Sequence, residues 1–184
     1  MGNISFLTGS GSGSPPTIGE SIYQLENTSV LFLTAWQRTP IDYPRAARAS
    51  QEAMLYLDHI VNEIMRTRDK VQSDGCYTGS LLEVQLNIAR ALSVSPVTRV
   101  QQDSLSALGA GNGMLPSAGL PLTMEKLLNK IKHRRVTSAN FRVGAAGEHV
   151  FLIGVDKPNR LPDSIVEFVV GDFCEHCREI AELI

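Results

Sequence analysis

Three runs near the C-terminal end decide the fold: Ala139-Asn-Phe-Arg-Val143, Glu148-His-Val-Phe-Leu-Ile-Gly-Val155 and Ser164-Ile-Val-Glu-Phe-Val-Val170. Before them, apolar residues recur at three- and four-residue steps. Within them the pattern shortens to alternation or to unbroken β-branched and aromatic runs, which is how strands read. The Gly144–Gly147 turn makes a hairpin of the first two runs. Residues 156–163, with Pro158 and Pro162, form a loop before the third, so a three-stranded antiparallel meander is expected. Gly171-Asp172 then punctuates the chain, and residues 173–183 are predicted as a terminal helix with Asp172 as its cap.

Working back toward the N-terminus, the chain reads as helices. Pro44 suits a first helical turn, where its missing N–H has no partner to lose. From there to residue 72, Met54, Leu57, Val61, Ile64 and Met65 form one apolar stripe. Ser80 and Glu83 have the spacing of a capping box. Leu81, Val84, Ile88 and Leu92 then predict a second helix, so residues 44–93 are expected to form a helical hairpin. Ser95-Pro96 has the cap-then-proline order of another helix start, which Val97, Val100, Leu105 and Leu108 carry to Gly109. The glycines and prolines of 109–122 predict a loop of the length that is often mobile or functional. Thr123 is the expected cap of a short helix with Met124, Leu127, Leu128 and Ile131 inward. Residues 21–38 fit a helical stripe through Ile22, Leu25, Ser29 and Phe32, although Val30-Leu-Phe-Leu33 has strand-like content. We read them as helix.

Residues 1–17, with Gly9-Ser-Gly-Ser-Gly-Ser14-Pro15-Pro16, read as a flexible leader. The expectation is therefore an α+β fold in residues 18–184: a helical layer over about 18–135, packed on a small meander with a terminal helix over about 139–184. The length of 184 residues is enough to bury a core, and 43% apolar with 20% charged residues is a globular composition. A net charge of −2 argues against a surface wholly devoted to nucleic acid, but leaves room for a local basic patch. Apolar runs such as 29–36 fall far short of the roughly 20 residues that span a bilayer. With no secretory pattern and only three cysteines, a reducing cytoplasm is expected and a membrane partner is not.

Cys174-Glu-His-Cys177 is the sharpest chemical signal. Placed where a strand gives way to a helix, thiols in the first turn would feel the partial positive charge of the helix N-terminus, which favours thiolate. Residues 166–180 resemble the strand, motif and helix of thioredoxins, and that resemblance implies thiol–disulfide chemistry. The family's further βαβ and hairpin continuation has no counterpart in residues 181–184, so the activity is not carried over. A second reading makes Cys174 and Cys177 two of four zinc ligands, completed from His176, His149, His133 and Cys76. A third makes both cysteines small buried apolar groups. No cofactor other than zinc is suggested.

Lys130-Ile-Lys132-His133-Arg134-Arg135, with Arg142 shortly after, is the other signal. Cations in a last turn complement the helix dipole, yet four cations and a histidine in six residues exceed that need. Their geometry suits phosphate or carboxylate, so an RNA, nucleotide or acidic-protein contact is expected there. The long helix pair is superficially similar to nucleases of the HEPN class. Their Arg-x4–6-His motif, however, finds only Arg142 and His149, both in the expected β-hairpin. Nucleophile elbows, metalloprotease helices and dinucleotide fingerprints are absent. The reading is a non-catalytic binding or assembly protein. It would meet a protein partner or its own copy through the helical hairpin, and an acidic or phosphorylated partner through the basic helix end.

Overall fold

The computed structural model describes residues 17–184, so the leader, apart from Thr17, lies outside the described residues. The first helix, α1 (Ile18–Trp36), starts where the Thr17 hydroxyl accepts a hydrogen bond from the Glu20 N–H. It turns back along α2 (Tyr43–Ser73), which Asp42 caps and Pro44 enters in the first turn. These two form the helical hairpin, tied across by Ser21 Oγ and His59 Nδ1 at 2.9 Å. A short helix, α3 (Leu81–Leu86), follows with Ser80 as its cap. The chain then enters a five-stranded antiparallel sheet of β1 (Ala89–Val94), β2 (Leu120–Thr123), β3 (Arg134–Val143), β4 (His149–Asp156) and β5 (Pro162–Val169), ordered β2-β1-β5-β4-β3. Helix α4 (Arg99–Ala107) links β1 to β2, α5 (Met124–Lys132) links β2 to β3, and α6 (Val170–Ala181) follows β5 directly.

Strand β4 is the centre of the packing. His149 through Val155 are all buried, because both faces of the strand are covered. Phe151, Ile153 and Val155 join the core under α1, α2, α5 and α6, with Ile22, Leu57, Leu128 and Phe173. Val150 and Leu152 point the other way and pack with Ile165, Val97 and Leu105 of α4. Each such side chain contributes about 1.5–3 kcal/mol on leaving water. This double burial explains why the run shows no alternation of apolar and polar residues.

The meander, the preceding helices and the terminal helix match expectation; several local expectations do not. α5 ends at Lys132, so Arg134 and Arg135 belong to β3 and not to the expected helix end. The sheet has five strands rather than three. β1 occupies the residues read as the end of a helix through 93, and it pairs with β5 through Leu92–Glu167 and Ser93–Val166. Pairing to a buried strand outweighs the helical propensity of Ala and Leu there. Consequently the helical hairpin is α1 with α2, not α2 with residues 80–93. β2 carries Pro121, and it is an edge strand, where a missing N–H does no harm. Helix α4 begins at Arg99, three residues after Pro96, and Thr98 in place of Ser95 caps it through a Thr98–Gln101 capping box. Finally α6 begins at Val170, so Asp172 lies in its first turn instead of capping it.

The Gly-rich connection is packed rather than free. Gly111 has φ +86°, and a Cβ there would come within 2.7 Å of the Trp36 ring. Gly113 donates to the Phe141 carbonyl at 3.0 Å and closes the outer edge of β3 at that point.

Gly154 carries a sharp constraint of its own, since a Cβ would overlap the buried Ser138 hydroxyl, which donates to the Gln102 carbonyl at 2.6 Å. Gly154→Ala is expected to lose about 1–3 kcal/mol of stability through overpacking. Adding Ser138→Gly should restore part of the loss. Equal melting temperatures for wild type and G154A would refute the constraint.

Candidate functional site

Strand β3 leaves its partner in the middle. Arg134 pairs with Val155 and Ala139 with Ile153, so four intervening residues of β3 oppose Gly154 alone. This wide bulge is fastened to α4. Ser106 Oγ donates to the Thr137 carbonyl at 2.8 Å, Ser138 Oγ bonds to Gln102, and Arg135 meets Asp103 at 3.1 Å. The strand's departure opens a cavity of about 340 Å³ between β3 and α2. Phe151 and Ile153 of β4 line its floor, with Phe141 beside them. Ser50 and Met54 of α2 supply one wall, and the opposite rim carries Arg134, Arg135 and Val136. Val136, on that rim, is 84% exposed. The single Trp36 packs edge-on against Phe141 at 4.7 Å, so it sits one ring away.

The basic residues that the sequence groups together do not form one surface. Lys130 reaches Asp163 at 2.6 Å and Ser164 at 2.7 Å. Burial works against the Asp163 charge, but the Lys130 bond and charge outweigh it and hold the carboxyl below its ordinary value. Arg134 forks onto Asp58 of α2. Arg142 meets Glu167 at 2.7 Å on the opposite face of the sheet. Lys132 and His133 are exposed beside the Arg134–Arg135 rim. Of the six, Arg134 and Arg135 line the cavity. Of the other lining residues, Ser50, Val136 and Ile153 had no functional reading in the sequence and Met54 was read only as core, because the bulge that assembles the cavity leaves no mark in residue type.

The cysteine candidates are dispersed. Because α6 starts early, Cys174 is its fifth residue and Cys177 its eighth, both past the first turn and both in the main core. Burial pushes the Cys174 thiol up to about 12, with Glu26 adding to the shift and Arg178 opposing it. Burial likewise raises Cys177, and its neighbour Cys174 adds to that. Such thiols resist forming the thiolate that redox exchange or metal ligation needs. Cys76 is exposed after α2.

His176 is buried, its Nε2 against the Gln85 carbonyl at 2.9 Å and its Nδ1 against Glu179 at 3.1 Å. Among the described residues no three His, Cys, Asp or Glu side chains converge as a metal site would require. Arg142 and His149 are likewise separated. The Arg142 side chain meets Glu167 on the α4 side, while His149 faces α1, stacked on Phe32 at 4.4 Å with Ser29 Oγ 3.0 Å from its Nδ1. Its Nε2 is buried without a partner, and burial lowers its pKa to about 4.

No protein-family model, curated protein or solved structure matches this chain. Among the described residues, no helix is long and apolar enough to cross a membrane.

Two outcomes follow from these burials. A thiol reagent should label Cys76 at once, and Cys174 and Cys177 only as the protein unfolds. Early labelling of all three thiols would contradict their placement. For His149, the unfolded chain takes up a proton near the ordinary value of 6.5 that the folded chain refuses until about 4. Stability should therefore fall as pH drops across that window, by about 3 kcal/mol from this group. His149→Leu should flatten the difference curve in urea melts taken at successive pH values; an unchanged slope would rule the assignment out.

Proposed function

We propose that the protein is a non-catalytic binding protein that takes an acidic group of its partner at the rim of the cavity between α2 and β3. The observation that carries this reading is the pairing of an apolar floor with Arg134 and Arg135 at one edge. A buried apolar wall with a few placed polar groups is the usual form of a ligand site. The guanidinium fork suits carboxylate or phosphate. Arg135 is the better placed of the two. Its partner Asp103 is 53% exposed, and exposed pairs are weak and easily exchanged. Arg134 is locked by two bonds to Asp58 and serves mainly to fasten β3 to α2.

The protein-partner half of the reading rests on α1. Over 19 residues it carries only Glu20 and Glu26 as charges, and it presents Tyr23, Val30 and Leu31 to solvent at 56%, 57% and 47% exposure. A helix apolar on its outer as well as its inner side suits a contact with another chain, and a second copy of this protein is the simplest such chain.

Titration with hexaglutamate, followed by Trp36 fluorescence, tests the first part. Binding should weaken with salt and drop about tenfold in Arg135→Ala, the worth of a charge-assisted hydrogen bond. Arg134→Ala should instead lower the melting temperature, since it strands Asp58. Equal binding by wild type and R135A across the salt series would eliminate this site. For assembly, sedimentation should show a concentration-dependent oligomer that Val30→Glu disperses. A monomer at every concentration would remove the homo-oligomer.

A further inference from the structure

We infer that the ligand of this cavity is a small apolar monocarboxylate, its acid on Arg135 and its hydrocarbon body against Phe141, Phe151 and Ile153. The inference rests on the acidic-partner reading above and adds the class of molecule that bears the acid.

The volume argues for a small molecule. About 340 Å³ lies at the lower end of the roughly 300–1,000 Å³ typical of small-molecule sites. An extended nucleic-acid contact needs an open run of free cations. Here Lys130, Arg134 and Arg142 are each engaged by a carboxylate of the protein itself. Lys132 is exposed beside the rim but does not line the cavity, so Arg135 is the one exchangeable cation on the cavity wall, which suits one negative charge. The surface below it is hydrocarbon: Ile153 is 2% and Phe151 6% exposed, and Met54 offers a pliable thioether wall. Ser50, on the facing wall, adds a hydroxyl-bearing residue to the lining.

Asp103 completes the charge argument. It occupies Arg135 from outside the cavity, so it stands in for the ligand acid and must be displaced by it. The Arg135 Nε meanwhile donates to Thr137 Oγ1 at 2.9 Å, which keeps the side chain on the bulge while its terminal nitrogens change partner.

Calorimetric titration of the full chain with hexanoate, octanoate, decanoate and decanol tests this. From hexanoate to octanoate, affinity should rise about fourfold per methylene, the factor expected for hydrocarbon leaving water. Decanol should bind about tenfold more weakly than decanoate, and Arg135→Gln should bring decanoate down to the level of decanol. Asp103→Asn, an exposed change that frees Arg135, should tighten decanoate. That gain cannot arise from a folding defect. Ser50→Phe should fill the space and block decanoate and decanol alike, with the circular dichroism unchanged.

Hexaglutamate binding that depends on Arg135, with no chain-length dependence among the acids, would overturn this inference and leave the acidic-partner reading standing. Loss of both would overturn the two together. Equal binding of decanol and decanoate would overturn the role given to the acid, as would decanoate affinity unmoved by D103N.

Discussion

The structure is organised by the burial of β4 on both of its faces. A strand with hydrocarbon on both sides must find two hydrogen-bonding neighbours and two covering layers, because its backbone polar groups have no water to turn to. β3 and β5 supply the neighbours. The α1–α2 hairpin with α5 and α6 supplies one layer, and α4 with the glycine-rich connection supplies the other. On the hairpin side an aromatic series runs from Trp36 through Phe141, Phe32 and His149 to Phe151, Phe168 and Phe173. His149 is the titratable member of that series. The packing tolerates it only as a neutral ring, which is why its proton affinity is coupled to folding.

The bulge in β3 follows from what happens at Gly154. Without a side chain there, Ser138 can settle onto β4 from the α4 side, and the extra residues before it arch outward. The same arch has a protective effect. A regular edge strand would present a row of free N–H and C=O groups to any passing chain. Here Ser106 takes the Thr137 carbonyl, Gly113 takes that of Phe141, and the arch itself breaks the ladder. At the other edge, β2 is four residues long and contains proline. Both edges are thus blunted by local geometry, and the cavity is the space left on the hairpin side where β3 has pulled away. Bulges recur beside binding sites for this reason: they move a strand off its neighbours without disturbing the rest of the sheet.

Much of this was legible in residue pattern. The apolar stripe of α2, the Thr123 boundary before α5 and the three C-terminal strands all have periods that differ enough to be told apart. The strand β1 was not legible. Ala89-Arg-Ala-Leu-Ser-Val94 continues the helical spacing of Ile88 and Leu92, and only the presence of an unpaired edge on β5 makes it a strand. That edge is a tertiary fact. The helix start before Cys174 was misplaced for a related reason. Asp172 is a good cap by type, yet Val169 ends the β5 pairing and the chain turns helical at once. A shift of three residues puts both thiols past the first turn and in the core, which goes against the thiolate and zinc readings and agrees with the reading of both cysteines as small buried apolar groups.

The basic segment shows the same limit from the electrostatic side. Residue type and spacing suggested one cationic surface, but α5 ends where four elements meet, and four of the cations leave in different directions while Lys132 and His133 stay exposed. Lys130 turns to the start of β5, Arg134 to α2 and Arg135 to α4, while Arg142 crosses the sheet to Glu167. Most of the positive charge is therefore spent on bracing the sheet against the helices around it. The carboxylates opposite these cations are 26%, 40%, 53% and 12% exposed, in the same order. Water competes best for the most exposed pair, so Arg135 is held least firmly of the four. It is also, with the locked Arg134, one of the two that border hydrocarbon rather than solvent. Any recognition of an acid by this segment consequently converges on one guanidinium with an apolar surface beneath it, which is a different object from the polyanion-binding stripe that charge counting alone describes.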